Sequence, residues 1–93
     1  MEKASYKVED GKMLKLKLEK ENTVIKSAEL RGDFFLEPAE KLSEIEQALT
    51  GISEKASVKD VADRVRNVDV KMIGFNPEDL GKAFEKALGD NRE

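Results

Sequence analysis

Leu14-Lys15-Leu16-Lys17-Leu18-Glu19 alternates apolar and charged residues without a break. A period of two puts Leu14, Leu16 and Leu18 on one side of an extended chain and Lys15, Lys17 and Glu19 on the other, which predicts a strand with one dry and one wet face. The residues that follow, Lys20-Glu21-Asn22-Thr23, supply turn chemistry, and the chain then returns as a second strand with Val24, Ala28 and Leu30 on the dry side. Upstream, Ala4, Tyr6 and Val8 alternate with Ser5, Lys7 and Glu9, and Glu9-Asp10-Gly11-Lys12 contains the Asp-Gly pair favoured in tight hairpins. The prediction is a three-stranded antiparallel meander with strands over about 4–9, 12–20 and 23–31.

Beyond Phe35 the apolar period lengthens to that of a helix. Pro38 stands where a first helical residue would lie, Leu42, Ile45 and Leu49 share a face, and Gly51 is placed to cap the end, which predicts a helix over about 38–50. A second helix over about 58–67 follows from Ser57 and Asp60 at capping-box spacing and from the stripe Val58, Val61, Val65 and Val68. Its valines lower helix propensity, so packing must hold it. A third, over about 77–88, is announced by Asn76 as N-cap, Pro77 as first residue and Glu78 and Asp79 in the first turn. Leu80, Phe84, Ala87 and Leu88 form its stripe, and Gly89 is placed to end it. Between the last two helices, Val70-Lys71-Met72-Ile73 fits either a short edge strand or an apolar loop, with the loop slightly favoured. Strands first and helices afterwards predict an α+β fold, with the helices packed on one face of the sheet.

Composition narrows the chemistry. The 93-residue chain has no Cys and no His, which removes thiol nucleophiles, thiolate metal sites, the usual zinc ligand and the usual base near neutral pH. Carboxylate pairs remain, but a closed cleft for a sugar is difficult to build from so short a chain. Net charge is −3 with acid and base interspersed, so no broad cationic field points to nucleic acid. The charged N-terminal stretch lacks the apolar centre of a signal peptide, and no run approaches the roughly 20 apolar residues of a membrane span. The expectation is a cytoplasmic chain that binds neither nucleic acid nor membrane and carries no catalysis of its own.

The junction Gly32-Asp33-Phe34-Phe35 stands out. Gly allows a sharp turn and Asp can hydrogen-bond nearby amides. Neighbouring side chains in an extended segment point to opposite sides, so Phe34 and Phe35 do not both enter one small core easily. Either one ring fills the core while the first helix covers the other, or one ring faces outward as an anchor for a partner. The wet face of the sheet should gather Lys7, Lys15, Lys17, Glu29 and Arg31, a mixture that ordinarily means solvation.

The stretch Ala28-Glu29-Leu30-Arg31-Gly32-Asp33-Phe34-Phe35, followed by Leu42-Ser43-Glu44-Ile45-Glu46-Gln47-Ala48-Leu49-Thr50-Gly51, resembles the C-terminal accessory domain of lipoate-protein ligases. The resemblance runs over about residues 4–89. It takes in the hairpin Tyr6-Lys7-Val8-Glu9-Asp10-Gly11-Lys12-Met13 and the later Ile73-Gly74 and Glu78-Asp79-Leu80; the order and spacing of these pieces carry it, since Gly-Asp-Phe-Phe alone would recur by chance. In that family the large domain binds lipoate and ATP and holds the catalytic lysine, and the small one is required to form lipoyl-adenylate. Some archaea and bacteria encode the two as separate chains, and this chain looks like a separate small subunit.

The resemblance thus implies a heterodimer with a catalytic large subunit, a complex that uses ATP, Mg and lipoate although this chain binds none of them alone, and lipoyl-domain proteins as indirect partners. Gly11 and Lys12 match a family Gly-Lys in the first hairpin turn, although Glu9-Asp10 stands where related separate subunits tend to carry Pro-Gly. Lys12 is then either an ordinary solvated lysine or a cation that approaches the partner's phosphate-binding region. The candidate interface or adenylation-assisting residues are Lys12, Gly32, Asp33, Phe34 and Phe35. A reading from another class is a free-standing interaction or ligand-sensing module.

Overall fold

The computed structural model describes residues 2–8 and 12–89. Three strands, β1 (Glu2–Lys7), β2 (Met13–Glu21) and β3 (Val24–Gly32), form an antiparallel sheet in the order β1-β2-β3. The register pairs Ala4 with Leu16 and Tyr6 with Leu14 across β1 and β2, and Leu16 with Leu30 and Leu18 with Ala28 across β2 and β3. All of these are on the predicted dry side, where Leu14, Leu16, Leu18 and Leu30 are buried. The Asp10-Gly11 turn lies outside the described residues, but the hairpin it belongs to is closed by the Val8 N–H donating to the Lys12 carbonyl at 2.8 Å.

One inward position was misassigned from sequence. The pairing shifts between Glu19 and Lys20, so that Ser27 opposes Glu19 and Ile25 opposes Lys20, with Lys26 as the extra residue. A bulge of this kind reverses the alternation beyond it. Ile25 therefore enters the core, and Val24, predicted to face inward, is 40% exposed.

The outer edge of β3 is covered. Ile25 and Gly51 bond through Ile25 N–H to the Ile52 carbonyl at 2.9 Å and Gly51 N–H to the Ile25 carbonyl at 2.8 Å, Glu54 N–H reaches the Thr23 carbonyl at 2.8 Å, and Leu30 N–H donates to a Glu46 carboxylate oxygen at 2.8 Å. An edge satisfied in this way offers little to another strand.

After β3 come β4 (Phe35–Glu37), a single 3-10 turn (Ala39–Lys41), α1 (Leu42–Ala48), α2 (Val58–Arg66), β5 (Lys71–Ile73) and α3 (Pro77–Gly89). The first helix is shorter than predicted: Pro38 precedes the 3-10 turn as its cap, with an extended backbone, and the α-helix begins only at Leu42. The slight preference for a loop at Val70–Ile73 is also corrected, because β5 pairs antiparallel with β4 as a two-stranded ribbon. Gly89 is the last helical residue rather than one beyond the end.

The starts of α2 and α3 are chemically specified. Asp60 N–H donates to Ser57 Oγ at 3.1 Å and Ser57 N–H to Asp60 Oδ2 at 3.2 Å, the reciprocal pair of a capping box. Asn76 and Asp79 do the same at 2.8 and 3.0 Å. The valine stripe of α2 is held by packing as expected, with Val61, Ala62 and Val65 buried. Helix α3 lies against α2, β1 and β2, while α1 covers β3, so one cluster of buried residues from every layer forms the core.

The two helices α2 and α3 meet closely at Gly81. A methyl group built there would stand 2.6 Å from the Val58 carbonyl oxygen and 2.9 Å from Val58 Cγ1, well inside contact distance. The absence of a side chain is what lets the backbones meet. Arg66 and Glu78 pair across the same seam.

Candidate functional site at the sheet-to-ribbon junction

The candidate residues picked from sequence gather at one end of the molecule. Gly32 closes β3 opposite Leu14. A Cβ there would sit 2.2 Å from the Met13 carbonyl oxygen, so only glycine allows this approach, and the next residue uses it: Asp33 N–H donates to that same oxygen at 3.0 Å. Met13 directly follows Lys12, an exposed residue at the base of the first hairpin loop. Backbone hydrogen bonding therefore brings Lys12, Gly32 and Asp33 into one neighbourhood, although they are some 20 residues apart in sequence.

The paired phenylalanines separate as extended geometry requires. Phe34 is half-buried and packs against the core, its ring 4.9 Å from that of Phe75 and tilted by 60°. That spacing and tilt are favourable for two quadrupolar rings. Phe35 turns the other way and is 71% exposed, so α1 does not cover it. Of the two alternatives, the one in which the first helix covers the second ring is excluded, because the chain enters β4 at Phe35 and buries Leu36, not Phe35, in the core.

Sequence reasoning missed the partner of Phe35. In the β4–β5 register Phe35 opposes Ile73, and Ile73 is itself 39% exposed. The buried Leu36 opposes Met72 on the opposite face. The ribbon is thus two-sided, with one face closing the core and the other presenting an aromatic and a β-branched side chain to solvent. Cross-strand pairs of this type are attractive in themselves, but they do not explain why both groups stay wet. The signal that could have revealed the pair was the short apolar run ending in Ile73, read as a strand rather than a loop.

The junction combines exposed charged groups with an exposed apolar pair. The Asp33 carboxylate and the Lys12 ammonium are exposed, and among the described residues no group of three or more acidic side chains is placed to hold a metal ion. No described helix is long and apolar enough to cross a membrane. An exposed aromatic beside an exposed β-branched residue, flanked by polar groups, is the composition of a small protein-binding patch.

No family model and no curated protein matches the sequence. Among solved structures, the chain is similar to one from an archaeal lipoylation system, a bipartite lipoate protein ligase and its E2 lipoyl domain from Thermoplasma acidophilum. The TM-score is 0.72 at 25% identity, covering 88% of this chain and 91% of that one.

Proposed function

We propose that this chain is the non-catalytic accessory subunit of a bipartite lipoate protein ligase, acting with a large subunit that forms lipoyl-adenylate from lipoate and ATP. The observation that carries the proposal is the likeness to a chain of the Thermoplasma lipoylation system over nearly the full length of both. The sequence resemblance supports the ligase component rather than the lipoyl domain, since it falls on the accessory-domain motifs, above all Gly32-Asp33-Phe34-Phe35.

In this reading Phe35 and Ile73 form the anchor for the large subunit, and Lys12 stands at the same end, where its cation offsets charge on the phosphates of the Mg-bound nucleotide. The subunit performs no bond chemistry. It binds the adenylation-competent state of its partner more tightly than other states and so raises that state's population. The adenylate then serves lipoyl-domain acceptors, which meet the complex rather than this chain alone.

The test mixes purified large subunit with lipoate, ATP and Mg and follows pyrophosphate release with and without this chain. Release should depend on the chain, Phe35→Ala should raise the concentration needed for half-maximal release at least tenfold, and Lys12→Ala should lower the rate at saturation. Full-rate adenylation by the large subunit alone sinks the proposal. So does mass spectrometry showing that a lysine of this chain itself acquires the lipoyl group, which would make it an acceptor.

A further inference from the structure

The outer face of the three-stranded sheet sets cations directly opposite cations. Several cations elsewhere are set beside acids: Lys20 by Glu54 at 3.1 Å, Lys41 by Glu44 at 2.7 Å, Lys59 by Asp63 at 3.5 Å and Arg66 by Asp63 at 2.9 Å. On the sheet face the register sets Lys3 directly opposite Lys17, and Lys15 directly opposite Arg31. Like charges directly across a ladder are destabilising. Arg31 bonds the Leu30 carbonyl at 2.8 Å and pairs with Glu46 at 3.3 Å and Glu29 at 3.9 Å, but Lys3, Lys15 and Lys17 make no ion pair within the described residues. With Lys7 added, this face holds five cations against two acids, Glu29, which opposes Lys17, and Glu19, which opposes Ser27, on a chain whose net charge is −3.

The face is also hollow. An open depression of about 320 Å³ lies over the middle of the sheet, bordered by Lys3, Ser5, Lys15, Lys17, Glu29 and Arg31. Its donors are the tips of long side chains, because the backbone amides between β1 and β3 are engaged in the ladders. A phosphate site is ordinarily built from free backbone N–H groups at a turn or helix start, and none converge here. Ammonium groups spread over strand spacings, about 5 Å across and about 7 Å along the sheet, instead match carboxylates distributed over a protein surface.

We propose that this sheet face docks an acidic protein surface, through residues distinct from the Phe35–Ile73 patch. The Lys3, Lys15 and Lys17 ammonium groups meet the partner's carboxylates, Glu29 accepts one cation from it, and the repulsion built into the two like-charged pairs is relieved on binding. Complementary charge of this kind acts chiefly on encounter rate and selectivity. The inference does not depend on the ligase reading.

The test uses the whole chain, labelled with ¹⁵N, and three probes: poly-L-glutamate of about 20 residues, inorganic triphosphate and a short DNA duplex. Poly-L-glutamate should shift the amide signals of β1, β2 and β3 on this face saturably. Its affinity should fall roughly tenfold in the triple variant K3Q/K15Q/K17Q, and more steeply still as salt shortens the reach of exposed charges. In the absence of any ligand, K3Q/K15Q/K17Q should unfold at the same temperature as the native chain or a few degrees higher, because like-charged neighbours have been removed. Shifts spread evenly over all lysine-bearing surfaces, no binding, or an affinity unchanged in the variant overturns the proposal. Tighter binding of triphosphate or DNA on the same residues overturns it in favour of a phosphate-bearing partner.

Discussion

Gly81 offers a test in which two general tendencies oppose each other and the structure decides between them. Replacing a helix-interior glycine by alanine ordinarily stabilises, by about 0.8–1.0 kcal/mol, because alanine loses less backbone freedom on folding. At Gly81, however, the new methyl would lie 2.6 Å from the Val58 carbonyl oxygen, 2.9 Å from Val58 Cγ1 and 3.1 Å from Val58 Cα. Carbon pairs sit comfortably at roughly 3.5–4.0 Å, so the methyl lacks some 0.5 Å or more of room. Two of the three atoms belong to the backbone of α2 and cannot rotate away. The helices must part instead, and a gap of about 0.5–1 Å forfeits a quarter to a half of the dispersion attraction along the seam. Overpacking of this kind costs about 1–3 kcal/mol, which exceeds the propensity gain. Gly81→Ala should therefore destabilise by about 1 kcal/mol, lowering the urea midpoint by about 0.5 M at an unchanged slope. A midpoint equal to or above that of the native chain would show that α2 and α3 do not meet at this distance, and the reasoning would fail.

Three further outcomes follow from local geometry. Ser57→Ala removes the acceptor at 3.1 Å from the Asp60 amide and should cost about 1 kcal/mol in denaturant unfolding, with Ser57→Asn recovering most of it; equal stability of the alanine variant would mean that the cap is idle. Phe34→Ala should destabilise by about 2–4 kcal/mol, whereas Phe35→Ala, at a ring 71% exposed, should change stability by less than about 1 kcal/mol; similar losses at both would contradict the two-sided ribbon. The Lys41 ammonium is held above its ordinary value of 10.5, chiefly by its hydrogen bond to Glu44 and also by the charge of that carboxylate. A raised value means that this pair's contribution is complete below the unfolded-state pKa and fades as pH rises through the folded one. Glu44→Gln should therefore flatten the loss of stability seen above about pH 10.5 and leave its shape below that unaltered.

The parts of the fold legible in the sequence are those whose pattern repeats long enough to exclude an alternative. Leu14, Leu16 and Leu18 admit one period, and the capping residues Ser57, Asn76 and Asp79 mark helix starts by chemistry that acts within a single turn. The bulge at Lys26 left no such mark, because an extra residue in a strand reveals itself only when a partner strand fixes the register. The β4–β5 ribbon escaped for a related reason. Each of its strands has three residues, too few to show a period, and their pairing joins segments almost 40 residues apart. The candidate site was therefore half visible: adjacent phenylalanines must diverge in an extended chain, but which one stays wet, and that Ile73 stands beside it, depends on that pairing. Gly81 was hidden differently, since a glycine within a helical stripe reads as a small penalty unless the neighbouring helix is in view.

Helix α3, which lies across β1 and β2, has a consequence for how the protein comes into being. Its Lys86 ammonium reaches back to the Ser5 carbonyl at 2.7 Å, across 81 positions of chain. During synthesis the sheet residues emerge first and the helix that covers them last, so the apolar row of Leu14, Leu16 and Leu18 stays without its cover until Phe84 and Leu88 have left the ribosome. Contacts between the two ends of a chain slow folding, and a strand row left open in the interval is a site for mispairing. The lysines that alternate with those leucines, and the edge of β3 closed by segments made before α3, are features that discourage such mispairing.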